Sequence, residues 1–108
     1  MIDPDRIARY ERLVASNSNF ELKGKNMLFT SVNGYMFSQL NKAGELGIRL
    51  SKEDGEEFIK TYQSSLFKSY GAVMRGYVVL PDSMLDNTAL AAKFLQKSYE
   101  FVLSLPPK

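Results

Sequence analysis

The chain contains neither cysteine nor histidine among its 108 residues. Without them it has no thiolate nucleophile, no Ser-His-Asp triad and no zinc site of the usual kind. Small secreted domains usually depend on disulfides, so the missing cysteines also argue against that class. We therefore expect a protein that is not an enzyme and that binds no cofactor or metal ion.

Long apolar runs and a strong charge imbalance are missing as well. No run approaches the roughly 20 apolar residues that a membrane-spanning helix needs, and the first twenty residues are too charged for a signal segment. The 14 Lys and Arg residues nearly balance the 12 Asp and Glu residues. Such a balance gives no strong field toward nucleic acid or anionic membranes. These features predict a cytoplasmic protein with no membrane contact and argue against nucleic acid as a partner.

The residues that are present suffice for one hydrophobic core. Hydrophobic residues make up 44% of the chain, and a chain of this length is expected to form one domain, residues 1–108. Asp3 can cap a first helix, with Pro4 at its first position. Ile2 and Ile7 stand at the two positions of a hydrophobic staple. Apolar residues then recur at helical spacing until Asn17.

Asn33 and Gly34 give the strongest turn signal in the chain, because both residues accept the positive φ of a type I′ turn. This turn predicts an antiparallel hairpin of residues 27–32 and 35–40. A two-residue loop sets Thr30 opposite Phe37. A second turn at residues 42–44 leads into an alternating strand, so the sequence predicts a three-stranded meander.

The second half of the chain is predicted to hold two helices and two strands. Ser51 and Asp54 resemble a capping box, which starts a helix that ends near residue 63. Residues 66–71 are less regular, and residues 73–74 and 77–80 are typical of strands. A last helix begins after Asn87. The order α-β-β-β-α-β-β-α predicts a two-layer α+β domain with an antiparallel sheet.

The hairpin carries more apolar residues than one buried face needs. One predicted face holds Leu28, Val32, Tyr35 and Phe37. The other holds Met27, Phe29, Met36 and Leu40. A sheet covered on one face should alternate apolar and polar residues. Either helices cover both faces, or the second face packs against another chain, with Met27, Phe29, Met36 and Leu40 as the interface of a homodimer.

Basic residues near the N-terminus offer an alternative function. A loose strip along the first helix and the segment after it contains Arg6, Arg9, Arg12, Lys23 and Lys25. Such residues could contact phosphates in a small nucleic-acid-binding module. Neighbouring acidic residues reduce the net positive charge of the strip, and Asp5 is placed to pair with Arg9. A solvated helix face is therefore the favoured explanation of the strip.

A third set of residues could contact a ligand or partner: Lys68, Tyr70 and Arg75. Arg75 lies between apolar strand residues, where an arginine either holds a carboxylate or extends to solvent. A small-ligand site would need these three side chains to gather around one pocket.

Four segments resemble the TfoX/Sxy N-terminal domain family. They are residues 24–40, residues 46–57, the sequence YGAVMRGYVVLP at 70–81 and the sequence SLPPK at 104–108. The resemblance implies a two-layer α+β fold like that of the secretion-chaperone group. It also implies an interaction or regulatory accessory role beside a protein regulator, because full-length members control natural competence with the cyclic-AMP receptor protein and carry a further helical domain. It supplies no catalytic residues.

Overall fold

The computed structural model describes residues 3–25, 27–69 and 71–108. Its elements in chain order are α1 (Pro4–Ala15), β1 (Phe29–Val32), β2 (Tyr35–Leu40), β3 (Leu46–Arg49), α2 (Lys52–Tyr62), β4 (Leu66–Ser69), β5 (Ala72–Leu80), α3 (Asp82–Leu85) and α4 (Thr88–Leu103). The predicted α+β class and element order are confirmed. The four-residue α3 is an addition that the sequence patterns did not indicate.

Capping side chains begin three of the helices where the sequence predicted. Asp3 accepts a hydrogen bond from the backbone N–H of Asp5 and starts α1. Ser51 accepts one from the N–H of Asp54 and starts α2. Asn87 starts α4 in the same way. Each cap satisfies a backbone donor that a helix leaves unpaired at its first turn. The predicted staple between Ile2 and Ile7 lies outside the described residues, because Ile2 is not among them.

The turn of the first hairpin has the predicted geometry. Asn33 and Gly34 have φ values of 59° and 82°, both positive as a type I′ turn requires. Val32 pairs with Tyr35 across the turn. The first hairpin is therefore closed by local chemistry that is readable in the sequence.

A β-bulge then changes the register of this hairpin. Thr30 pairs with Ser38, so the predicted pairing with Phe37 was wrong. The extra residue in β2 brings Phe37 and Ser38 both to buried positions, and it moves the following residues of β2 to the opposite face. Leu40 is consequently only 2% exposed and belongs to the core cluster. Its predicted place on the second face was wrong.

The five strands form one antiparallel sheet in the order β1-β2-β3-β5-β4. Buried residues of all four helices join one cluster with the same face of this sheet, among them Tyr10, Phe58, Met84 and Leu95 beside Leu40, Ile48, Val78 and Leu80. The helices therefore form one layer on one face. The expectation that helices might cover both faces is not met, and the face opposite them is called the second face below.

Part of the second face is covered by β4 of the same chain. Phe67 is fully buried, and its ring lies against Gly47 of β3. The ring of Tyr77 lies 6.4 Å from that of Phe67. The Asn41 side-chain amide donates to the carbonyl oxygen of Lys68 at 2.8 Å, which ties β4 to the end of β2. The second face above β3 is therefore closed within one protomer.

The strands after α2 have other boundaries than predicted. Residues 66–69, predicted as irregular, form β4, and the two predicted short strands at 73–74 and 77–80 are one strand, β5. Gly76 has a φ of 85°, and the pairing with β4 shifts along β5. Glycine accepts this conformation without a steric cost, so β5 can bend here. Among the described helices, none combines the length and apolarity that crossing a bilayer requires.

Candidate functional site

A cleft of about 520 Å³ opens between the first turns of α2 and the bend of β5. Its apolar lining comes from five elements or their ends: Leu50, Ile59, Leu66, Val78 and Phe101. Leu66 is 46% exposed, an unusual degree for a large apolar side chain. The volume lies within the roughly 300–1,000 Å³ of typical small-molecule pockets. The cleft is therefore large enough to bury an organic ligand.

Positive charges surround this apolar lining. Arg49, Lys52 and Arg75 line the cleft together with one acid, Glu56. None of the three cations forms an ion pair with a carboxylate of the described segments. Lys52 and Glu56 are one helical turn apart, so Glu56 can offset the charge of Lys52. Arg49 and Arg75 remain as the uncompensated cations of the cleft.

Aromatic rings hold Arg49 at the edge of the cleft. Its guanidinium carbon lies 5.4 Å from the ring centre of Tyr35 and 5.8 Å from that of Phe101. Such cation–π contacts position an arginine without using its N–H donors. Arg49 also pairs with Tyr77 across β3 and β5. Burial raises the pKa of Tyr77, and the nearby charge of Arg49 opposes that rise.

Three of the four predicted interface residues lie on the second face. Phe29 pairs with Gln39, and Met36 pairs with Ser31. The sulfur of Met27 accepts a hydrogen bond from the Gln39 side chain. Met27, Phe29 and Met36 are half-buried. These three residues are called the hairpin patch below, and Leu40 does not belong to it because it lies in the core.

Ion pairs with α3 and the residue after it occupy two members of the basic strip. Arg6 holds the Asp82 carboxylate through two hydrogen bonds of 2.9 and 3.1 Å, and Arg9 donates to Asp86 at 3.2 Å. The hydrogen bond and charge of Asp82 raise the pKa of Arg6. The predicted partner of Arg9 was Asp5. The acids that Arg9 contacts instead are distant in the sequence, so the spacing of residues along a helix could not predict them.

The remaining members of the strip are dispersed. Lys23 donates from Nζ to the Ser31 hydroxyl at 2.9 Å. Arg12 and Lys25 are exposed to solvent. The strip thus presents isolated cations beside acids rather than a continuous basic surface. This arrangement gives the nucleic-acid hypothesis no specific support.

The third predicted set is not brought together around one pocket. Arg75 lines the cleft, whereas Lys68 is exposed on β4 and does not line it. Tyr70 lies outside the described residues. Arg49 and Lys52 were missed, because the cleft joins β3, α2 and β5, which are separated in the chain. The sequence of β3 and of the cap that follows it does not indicate that α2 and β5 form a cleft beside them.

A buried chain of hydroxyl groups lies between α1 and the sheet. The Tyr10 hydroxyl is 2.6 Å from that of Ser38, which is 2.5 Å from that of Thr30. Tyr10 is only 1% exposed, and burial raises the pKa of its hydroxyl. Since Tyr10 does not line the cleft, this chain holds α1 against β1 and β2 rather than facing a ligand.

Within residues 3–25, 27–69 and 71–108, no three or more acidic side chains gather in a way that could hold a metal ion. Comparison of the chain with protein-family models and with curated proteins finds no match. The cleft and the hairpin patch are therefore the two features of this structure from which we infer a function.

Proposed function

We propose that the chain is a non-enzymatic interaction domain of the TfoX/Sxy N-terminal type that works in the cytoplasm as a homodimer. One observation carries this proposal. The buried residues of all four helices join one face of the sheet, while Met27, Phe29 and Met36 lie on the other. An apolar patch without a covering layer commonly marks an interface.

The position of the hairpin patch favours a second copy as its partner. Phe67 already fills the second face above β3, so the hairpin patch and Val79 of β5 are the half-buried apolar residues left on that face. β1 is the last strand of the sheet, and Lys23 already pairs with Phe29 on its outer side, so a neighbouring molecule would reach the patch across the second face. A twofold axis through the second face would bring the patch of each copy against the other, and twofold dimers are the commonest oligomers.

The regulatory part of the proposal is supported by the family resemblance. It implies a protein regulator as a further partner, with the domain acting as an accessory to that regulator. The dimer would leave the helix layer free for such a contact, since the hairpin patch lies on the opposite face. Nucleic acid is not proposed as a partner, because ion pairs with Asp82 and Asp86 occupy two cations of the basic strip.

Sedimentation velocity of three proteins tests the homodimer. At about 100 µM, well above a micromolar Kd, we expect the unaltered chain to sediment with twice its mass of 12.2 kDa. Met36→Glu places a charge in the hairpin patch and should give a monomer. Leu103→Glu is the matched control, since Leu103 is 46% exposed on α4, and it should remain dimeric. A monomeric unaltered chain would contradict the proposal.

A further inference from the structure

We propose that the cleft between α2 and β5 binds a small amphipathic anion, with one carboxylate or phosphate group on an apolar chain or ring. The cleft lies on the helix side of the sheet, because Leu50 and Val78 in its lining belong to the core cluster. The hairpin patch lies on the second face. The two sites are therefore separate surfaces, and the test of either proposal can fail alone.

The apolar lining selects the body of the ligand. Ile59, Leu66 and Phe101 present side chains from three different elements to the same space. Leu66 is 46% exposed and would lose contact with water when the cleft is filled. Removing apolar surface from water is favourable by about 25 cal/mol per Å². An alkyl chain or an aromatic ring fits this surface, whereas a sugar or another polar body would lose hydrogen bonds to water there.

The two uncompensated arginines select the head group. Arg49 and Arg75 line the same cleft, and neither forms an ion pair with a described carboxylate. Tyr35 and Phe101 position the Arg49 guanidinium through their ring faces. One of its N–H groups interacts with the Tyr77 hydroxyl, and the others remain for an oxyanion. Carboxylates and phosphates are the groups that arginine binds with two parallel hydrogen bonds.

The first turn of α2 adds to this preference for an anion. Ser51, Lys52 and Gly55 belong to the cap and first turns of the helix, and they line the cleft. The N-terminal end of a helix carries a partial positive charge, which Glu53 and Asp54 in the first turn of α2 offset in part. Glu56 in the same lining sets a limit, because it would repel a second negative group on the ligand. The cleft therefore suits one compact anionic head rather than a polyanion.

Amide NMR titration of the unaltered chain tests this site. The probes are octanoate and octyl phosphate, with octanol, octyltrimethylammonium and acetate as comparisons. Gly55 and Gly76 line the cleft and report on binding, while Gly44 and Gly71 do not line it and serve as references. We expect saturable shifts at Gly55 and Gly76 with both C8 anions. The better of the two identifies a carboxylate or a phosphate as the natural head group.

Two variants separate the head group from the apolar body. Arg75→Gln should weaken both C8 anions about tenfold, the value of one charged hydrogen bond, and should leave octanol binding unchanged. Lys60→Gln is the matched control, because Lys60 is an exposed cation of α2 that does not line the cleft. It should bind both anions as the unaltered chain does. Both substitutions are at exposed positions, and the NMR spectrum itself shows whether the fold is kept.

Several results would overturn the inference. Octanol or octyltrimethylammonium binding as tightly as octanoate would remove the anionic head from the proposal. Acetate binding as tightly as octanoate would show that the apolar body of the ligand is not required. No saturable shift at Gly55 and Gly76 up to about 10 mM, beyond the weakest range of specific binding, would remove the site. An equal loss in Arg75→Gln and Lys60→Gln would reduce binding to non-specific charge attraction.

Discussion

The ring of Phe67 lies against the backbone of Gly47 so closely that a Cβ atom on Gly47 would overlap it. This contact lets β4 cover the second face of the sheet above β3, where none of the described helices packs. The hairpin patch lies beyond this covered region, and its residues are half-buried. Gly47 thus allows the chain to close this part of its own sheet.

Gly47→Ala should destabilise the protein by about 2 kcal/mol, since the added methyl group must displace a fully buried ring. Denaturant unfolding measures the loss. Gly55→Ala is the matched control, because its Cβ would meet the nearest atom, Val78 Cγ1, at an ordinary 3.7 Å. Inside α2 this substitution should stabilise by about 0.5–1 kcal/mol. Equal effects of the two substitutions would contradict the packing described for Phe67.

The buried Tyr10 hydroxyl makes stability depend on alkaline pH. Burial raises its pKa above the value of about 10 of an unfolded chain. The contribution of this hydroxyl to the free energy of unfolding is therefore complete below pH 10, and it is lost as the pH rises toward the folded-state pKa. Tyr10→Phe removes this dependence, so its free energy of unfolding should fall less steeply above about pH 10, by up to about 1.4 kcal/mol per pH unit.

Denaturant unfolding of both proteins at a series of pH values measures the two slopes. At neutral pH, Tyr10→Phe should cost about 1 kcal/mol, the net value of one hydrogen bond. Burial also raises the pKa of Tyr77, so part of the alkaline slope remains in the variant. Identical slopes in the two proteins would contradict the burial of the Tyr10 hydroxyl and the rise in its pKa.

The ion pair between Arg6 and Asp82 should contribute little to stability. Its geometry is good, with N–O distances of 2.9 and 3.1 Å, but the Asp82 side chain is 60% exposed. Asp82→Asn should therefore cost less than about 1 kcal/mol. The cost should shrink near 1 M NaCl, where the screening length is about 3 Å. Glu11→Gln, at an exposed position of α1, should leave stability unchanged, and a salt-independent loss in Asp82→Asn would contradict this assignment.

Local backbone chemistry was predictable from the sequence. The Asn33-Gly34 turn and the Ser51 cap each depend on residues that are neighbours in the chain, and both are found as expected. The bulge in β2 was not predictable from alternation. It occurs where Phe37 and Ser38 are both buried against α1 and α4, with contacts to Tyr10 and Tyr99. Strict alternation therefore placed Leu40 on the wrong face.

Residues that are distant in the chain decide what the sequence could not show. The strand that contains Leu66 and Phe67 was not predicted, because the burial of Phe67 depends on Gly47 of another strand. The cleft also depends on residues that are distant in the chain. Arg75 was recognised as an unusual charge, but Arg49 and Lys52 join it only after β3, α2 and β5 pack together. Sequence spacing does not contain that information.

Self-association through the hairpin patch is tested most directly by the methionine methyl groups. Met27 and Met36 belong to the patch, whereas Met84 lies in the core and is 3% exposed. Methyl NMR spectra would be recorded during dilution from about 1 mM to about 10 µM, a range that spans the dissociation of weak interfaces. We predict that the signals of Met27 and Met36 change and that of Met84 does not. Unchanged signals of Met27 and Met36, in a chain that sediments as a monomer throughout this range, would contradict the homodimer.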